Sequence, residues 1–398
     1  MTTRFSPARR RFLSALGTTT AALPLIALPG FVRAAGMSPG PGNILILVEL
    51  AGGNDGLNTV IPTRDAAYRG LRPTIGLDRS ETLTLDPDTG LHPAMADLAR
   101  LWDQGDLRIV EGVGYPNPNR SHFRSIEIWN AGQGAESTDR TGWVPAAFSA
   151  GTPGAAHAEG LVLGGETGPL DGPGRFSSMR DEETFRETLA FLQKGGHPVR
   201  PEGNGPLDHV LSTYDSARIT GNAISRRLGS SAARRLPFPE SDLGEQLRTA
   251  ARLLDAGVEV SVLKVVQEGY DTHDAQPYLH AMLLEELAEA VGAFADAMSR
   301  IGLWQQVTVV TYSEFGRTAR ENGSYGTDHG TAAPVFVTGG AVAGGFDGAR
   351  VSLDHLVDDD LVHTTDYRTL YAGLLSGLWG IESPVFEVAG ARSLRLFG

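Results

Sequence analysis

Residues 43–50 read Asn-Ile-Leu-Ile-Leu-Val-Glu-Leu, and residues 52–56 just beyond them read Gly-Gly-Asn-Asp-Gly. An apolar run of strand length with no polar alternation predicts a strand covered on both faces, and the glycines predict a loop at its carboxyl end. Outward from that stretch, further strands are predicted at Leu107–Val113, Leu161–Leu163, Val258–Val266, Val307–Tyr312 and Val335–Thr338, with helical stretches between most of them. Strands alternating with helices give an α/β fold: a doubly wound, mostly parallel sheet with helices on both faces. The clearest helix runs from about Pro277 to Ile301, where Leu279, Leu283, Leu287, Val291, Phe294, Met298 and Ile301 recur at helical spacing and predict the face that packs on the sheet. Gly302 ends it, and the next strand follows within five residues.

Composition narrows the chemistry. Of 398 residues, 41% are hydrophobic and 20% charged, the balance of a soluble globular chain with a large core. Cysteine is absent, which excludes disulfides, thiolate nucleophiles and cysteine-ligated metal. Any metal site must use His, Asp, Glu or uncharged oxygen. The first 34 residues hold five arginines and no acid, leaving 29 basic against 47 acidic residues, a balance of −18, in the rest. Such a surface repels phosphate backbones and anionic lipid, so nucleic acid is not an expected partner. No Gly-x-Gly-x-x-Gly follows a predicted strand, which speaks against a dinucleotide-dependent oxidoreductase.

The amino terminus reads as an address. Arg9-Arg10-Arg11-Phe12-Leu13-Ser14 precedes a weakly apolar stretch, Ala15 to Val32, and resembles a twin-arginine signal, with Val32-Arg33-Ala34 offering small residues for cleavage before Ala35. A membrane span needs about 20 apolar residues; Pro24, Pro29 and Gly30 interrupt this stretch, so no stable span is expected. The expected organisation is a signal peptide at 1–34 and a single domain at 35–398, with an insertion or cap around 165–245. The twin-arginine translocase is then a partner during export, and the location periplasmic or secreted.

In an open parallel sheet, ligands bind beyond the carboxyl ends of the strands. Four places there carry chemistry: Asp55; Tyr270-Asp271-Thr272-His273; Ser313-Glu314-Phe315-Gly316-Arg317; and, before the last strand, Thr327-Asp328-His329-Gly330. Carboxylates and imidazoles from separate strands are what a divalent metal requires in a chain without cysteine. Zinc is the expected ion, with calcium, magnesium and manganese left open. Taken singly, Asp55 reads as a turn residue, whereas Glu314 and Asp328 read equally as surface carboxylates or ligands and His329 equally as a loop histidine or a ligand. Only their shared position at one sheet edge favours a site. In Pro116-Asn117-Pro118-Asn119-Arg120-Ser121-His122-Phe123 the prolines forbid helix, and Ser121 falls at the start of one that ends near Gly132. A serine there is a helix cap or, facing a metal, a nucleophile.

Gly-Gly-Asn-Asp-Gly-Leu-Asn (52–58), Asn-Arg-Ser-His-Phe (119–123), Gly-Tyr-Asp-Thr-His (269–273), Ser-Glu-Phe-Gly-Arg-Thr (313–318) and Gly-Thr-Asp-His-Gly (326–330) occur in this order. Together they resemble a family of exported bacterial proteins known as a domain of unknown function, distantly similar to the alkaline phosphatase and sulfatase superfamily. The resemblance covers roughly Asn43 to Gly380. It implies an alkaline phosphatase/sulfatase-like fold, metal ligands at Asp55, Asp271, His273, Glu314, Asp328 and His329, Ser121 as nucleophile, and Arg120, His122 and Arg317 as further catalytic residues. Phe315 stands where the superfamily carries a second motif histidine, and Asp271 to His273 is a short spacing, so one metal is expected in place of two. The implied function is a metal-dependent hydrolase or transferase acting on a phosphate or sulfate ester, of a small molecule or a glycan. The alternative is a non-catalytic metal- or glycan-binding envelope protein with a degenerate site.

Replacing Arg9 and Arg10 together by lysine should block export and leave the folded body in the cytoplasm. Fractionation reads this directly, and normal export of the variant would contradict the address.

Overall fold

A computed structural model of the chain describes residues 39–398 except 41, 152, 156, 180–184, 186, 188–189, 191–217, 229–236, 384–385, 387 and 389–390. The signal peptide expected at 1–34 and part of the cap expected around 165–245 lie outside the described residues.

The opening apolar run forms β1 (Ile44–Ala51). A small sheet follows, made of β2 (Val60–Ile61), β3 (Leu83–Thr84) and β4 (Gly90–Leu91). The remaining strands are β5 (Leu107–Gly114), β6 (Ala158–Val162), β7 (Phe176–Ser178), β8 (Val260–Glu268), β9 (Val307–Tyr312), β10 (Ala333–Thr338), β11 (Gly345–Asp347), β12 (Leu356–Val357), β13 (Asp360–Leu361) and β14 (Thr365–Asp366). Among the described residues the central sheet has nine strands in the order β11-β5-β10-β9-β1-β8-β6-β7, with β14 also on β5. β1 lies in its middle, parallel to β8 and β9, and among these strands only β10 runs antiparallel to its neighbours.

That one reversal matters for the site. β1, β8 and β9 end at one edge of the sheet, and an antiparallel β10 begins there, so residues 327–330 arrive at the same edge as residues 52–55, 270–273 and 313–317. The alternation of β1 shows why the run carries no polar period. Ile44, Ile46, Val48 and Leu50 enter a core under the helices Ala96–Gln104, Asp242–Asp255 and Gln276–Ile301. Leu45 and Leu47 enter a second core under His122–Ala131 and Tyr367–Trp379. With both faces covered, a strand has no solvent side to keep polar.

The long helix spans Gln276–Ile301, as the spacing predicts, but the start of its buried face differs from the expected one. Gln276, His280 and Leu284 point inward in the first turns, whereas Leu279 is 40% exposed and Leu283 only partly buried. Two polar side chains lead the apolar stripe there because polar partners, Asp55 and Asn54, await them. No helix of the described residues is long and apolar enough to cross a membrane.

The small sheet is pinned to the main one by a buried ion pair. Asp55 caps the short helix Gly56–Thr59, its Oδ1 accepting from Leu57 N at 3.2 Å. Arg72, directly after the helix Ala66–Leu71, donates from Nη1 to Asp55 Oδ2 at 2.6 Å and to Asn58 Oδ1 at 2.7 Å. Its Nε and Nη2 reach the carbonyls of Ala319 and Thr318 at 3.0 and 2.9 Å. Both side chains are wholly buried. Burial alone would raise the Asp55 carboxyl, but the charge and hydrogen bond of Arg72 hold it below the ordinary carboxylate range.

Removing one partner of such a pair leaves a desolvated charge, so Arg72→Met should destabilise the fold by about 3–5 kcal/mol. Urea unfolding of the metal-free chain measures this, and a loss within experimental error of zero would contradict the pinning role.

Candidate metal centre

Four side chains meet at the carboxyl edge of the sheet. Asp271 and His273 follow β8, His329 precedes β10, and His122 opens the helix His122–Ala131. His122, Asp271 and His329 each offer an atom within 4.8 Å of the others. His273 lies closer still: its Nε2 is 3.0 Å from His329 Nε2 and 3.1 Å from Asp271 Oδ1, and His329 Nε2 is 3.2 Å from the same oxygen.

The protons on these rings follow from their other nitrogens. His329 Nδ1 donates to the Arg120 carbonyl at 2.9 Å, an oxygen that can only accept. His273 Nδ1 faces the Asp328 carboxylate at 3.2 Å, and His122 Nδ1 faces Glu314 Oε1 at 2.7 Å. With each Nδ1 engaged in this way, the Nε2 atoms of His273 and His329 face each other and the Asp271 carboxylate oxygen. Three acceptor atoms at this separation are satisfied by a shared proton or by a bound cation. An ion about 2.0–2.1 Å from donors at tetrahedral angles sets them about 3.3 Å apart, close to the spacing found. Imidazole with carboxylate suits zinc better than calcium or magnesium, which favour oxygen throughout. The residues fit a bound divalent ion. Side-chain exposures of 25–49% across the four leave it open to a ligand from solvent.

Several expected roles change. Asp55 does not join the cluster: its oxygens are taken by Arg72, Gln276 and the helix start, which makes it a structural carboxylate. Glu314 and Asp328 stand behind His122 and His273 and fix those rings, the arrangement by which carboxylates orient metal-binding imidazoles. Glu314 is itself held by Gly52 N at 2.9 Å and by the Ser313 hydroxyl at 3.2 Å. Arg317 cannot touch a substrate, because its guanidinium is fully buried and donates to the carbonyls of Gly52, Gly53, Tyr270 and Thr327 and to Asp271 Oδ1 at 2.6 Å. Burial would raise the Asp271 carboxyl, but the Arg317 hydrogen bond and charge bring it below its ordinary value. Phe315, buried, packs 4.8 Å from the rings of both His122 and His329.

Ser121 is at the helix start, yet its hydroxyl makes no capping bond and is exposed. Its neighbours bracket the cluster: the Arg120 carbonyl holds His329, and His122 belongs to the group. The Arg120 guanidinium lies 3.0 Å from Asp360, whose carboxyl burial pushes up to about 6, and a pocket lined by Arg120, Thr331, Asp360 and His363 adjoins it. Glycine is required where the β1 loop passes the site. Gly52 and Gly53 have φ of 118° and 84°, and a Cβ would come within 2.4 Å of Asp271 N and 2.5 Å of the Phe315 ring respectively.

Sequence reasoning assigned no role to Asn54, Arg72, Thr272, Gln276 or His280, which the structure buries as polar residues around Asp55. Arg72 sits among ordinary surface arginines in the sequence, and Gln276 at a helix start looks solvated. Polar residues on an otherwise apolar helix face, as at Gln276 and His280, were the available signal.

The family described as "Protein of unknown function (DUF1501)" matches residues 43–375, and the chain belongs to it. No curated protein matches the chain. Among solved structures it is similar to an alkaline phosphatase superfamily protein from Vibrio parahaemolyticus, at 12% identity over 89% of this chain and 72% of that one, with a TM-score of 0.42. It is similar to a phosphonate monoester hydrolase from Silicibacter pomeroyi, at 12% identity over 89% and 76%, with a TM-score of 0.44. A sulfatase from a Pseudoalteromonas species is similar at 8% identity over 89% and 73%, with a TM-score of 0.40.

Two histidines beside the site set an acid limit on the fold. Burial depresses His280 to about 3 and His92 to about 4, against about 6.5 in an unfolded chain, so the folded protein keeps both neutral. Below that value the unfolded chain binds protons that the folded one refuses, so stability is full above about pH 6.5 and falls as pH drops. His280→Gln, whose amide can still donate to Asn54, should flatten the fall in the Tm of metal-free protein between pH 6.5 and 4.5. An unchanged slope would mean that His280 is not held neutral.

Proposed function

We propose that this family member is an exported, metal-dependent hydrolase or transferase acting on a phosphate or sulfate ester, with Ser121 as its nucleophile. The observation that carries the reading is the convergence of His122, His273, His329 and Asp271 with every imidazole Nδ1 already engaged. A divalent ion there would act as a Lewis acid, drawing charge from an ester oxygen.

The chain's own groups divide the remaining work. Asp271, His273 and His329, the tight triple, would hold the ion. Ser121 supplies an exposed hydroxyl at a helix start, where free amides and the helix dipole favour developing negative charge. Attack through its Oγ forms the new bond to phosphorus or sulfur as the bond to the alcohol oxygen breaks; His122 Nε2 takes the hydroxyl proton, with Glu314 behind the ring to stabilise the imidazolium, and passes it to the departing oxygen, which leaves as the alcohol. Arg120, about 40% exposed, presents donors at the mouth of the adjoining pocket, where a phosphate or sulfate oxygen or the departing alcohol can be held. Water then releases the bound group in a hydrolase, or a second alcohol does so in a transferase.

Phe315 favours a second reading. Its ring fills the space beside His122 and His329 where a further ligand would stand, as in a protein that binds metal or glycan without turnover.

Elemental analysis of the purified chain with a screen of phosphate and sulfate esters separates the readings. Zinc at about one ion per chain with turnover supports the hydrolase, zinc without turnover the binding protein, and no metal contradicts both. Ser121→Ala should retain the ion while turnover falls on the order of a thousandfold or more. Undiminished turnover with a lowered Tm would assign Ser121 to the helix cap.

A further inference from the structure

The site's ligands arrive on two loops that share one buried anchor. Thr272 lies between Asp271 and His273, and Thr327 stands one residue before Asp328 and two before His329. Both hydroxyls donate to a single acceptor, Gln276 Oε1, Thr272 at 3.1 Å and Thr327 at 2.6 Å. The other end of that amide, Nε2, donates to Asp55 Oδ2, and the same oxygen receives Arg72 Nη1 at 2.6 Å. All five side chains are buried, none more than 2% exposed. A backbone bond from Thr327 N to the Thr272 carbonyl at 3.3 Å runs beside the amide.

We infer that Gln276 is a positioning residue whose amide oxygen fixes the separation of these two loops, and with it the spacing of the Asp271, His273 and His329 donor atoms. The inference rests on the reading of that cluster as a metal centre. Direction follows from chemistry at each link. An ionised Asp55, held by Arg72, accepts only, so the amide must turn its NH2 toward it and its oxygen toward the threonines. An amide oxygen accepts only, so both hydroxyls must donate, which fixes their rotamers and the backbone that carries them. Buried, each bond is expensive to leave unmade, because the group it frees has lost its contact with solvent. The Gly-Gly-Asn-Asp-Gly motif thereby reaches the metal ligands through Gln276, without lending them a carboxylate.

The test uses the full chain with Thr272→Val and Thr327→Val, singly and together, since valine keeps the shape and removes only the hydroxyl donor. Zinc affinity is measured by competition with a chromophoric chelator, ligand geometry by the visible absorption of the cobalt(II)-loaded protein, and fold by the Tm of the metal-free chain. Each valine variant should bind zinc about 10–100-fold more weakly and show an altered cobalt spectrum. Thr327→Ser, which restores the donor, should return both toward wild type. If the double variant does not fold, the single variants carry the test. Wild-type zinc affinity and cobalt spectra in the valine variants would overturn the positioning role, even with a lowered Tm, because the network would then serve the fold alone. A wild-type chain that binds no zinc would sink the metal centre, and the inference with it.

Discussion

One buried guanidinium holds the site's edges together. Arg317 donates to carbonyls from the loop after β1, the loop after β8 and the segment before β10, and closes on Asp271. A chain that ends three elements at one sheet edge leaves carbonyls there with no strand to accept from, and each would cost about 1–3 kcal/mol if buried without a partner. A planar fork with five donors resolves several at once, which the single ammonium of lysine cannot do in that geometry. The positive charge also lets Asp271 stay ionised beside three imidazoles. Fold and electrostatics are therefore joined at Arg317, which serves the chemistry without touching it.

Around that anchor the site is layered by charge. The three rings are held from behind by Glu314, Asp328 and the Arg120 carbonyl, so that each Nδ1 is engaged outside the cluster. Beneath the loops, a second set of polar groups (Asp55, Arg72, Gln276, Thr272 and Thr327) is buried and hydrogen-bonded. The outer set remains partly exposed, whereas the inner set is sealed from the surface.

Much of the fold was legible because the signals were redundant. The run at 44–51 is apolar on both parities, so strand and double covering followed from one stretch, and Gly302 marked the end of the long helix through its left-handed backbone. Of the site, positions were legible and roles were not. The sequence placed Asp271, His273 and His329 at one sheet edge, and there they meet. It could not separate a residue of the cluster from the residue behind it: Glu314 and Asp328 have the same chemistry as Asp271, and only the direction of a side chain distinguishes them. Asp55 was misassigned for the converse reason, since its partner Arg72 lies 17 residues away and nothing local announces a buried pair. His122, implied by the resemblance only as a further catalytic residue, also belongs to the cluster, because the helix that starts after Ser121 brings its ring to His329, 4.3 Å between ring centroids. The buried face of the long helix was misread in its first turns because Gln276 and His280 break the apolar pattern, although that break marked the inner network.

The central claim is that bare imidazole nitrogens and one carboxylate oxygen converge on a single cation. X-ray absorption at the zinc edge of the purified wild-type chain tests it most directly. The account predicts a first shell of nitrogen and oxygen at about 2.0–2.1 Å with the outer-shell scattering of at least two imidazoles. A chain carrying no zinc, or zinc in an oxygen-only shell without imidazole scattering, would contradict it.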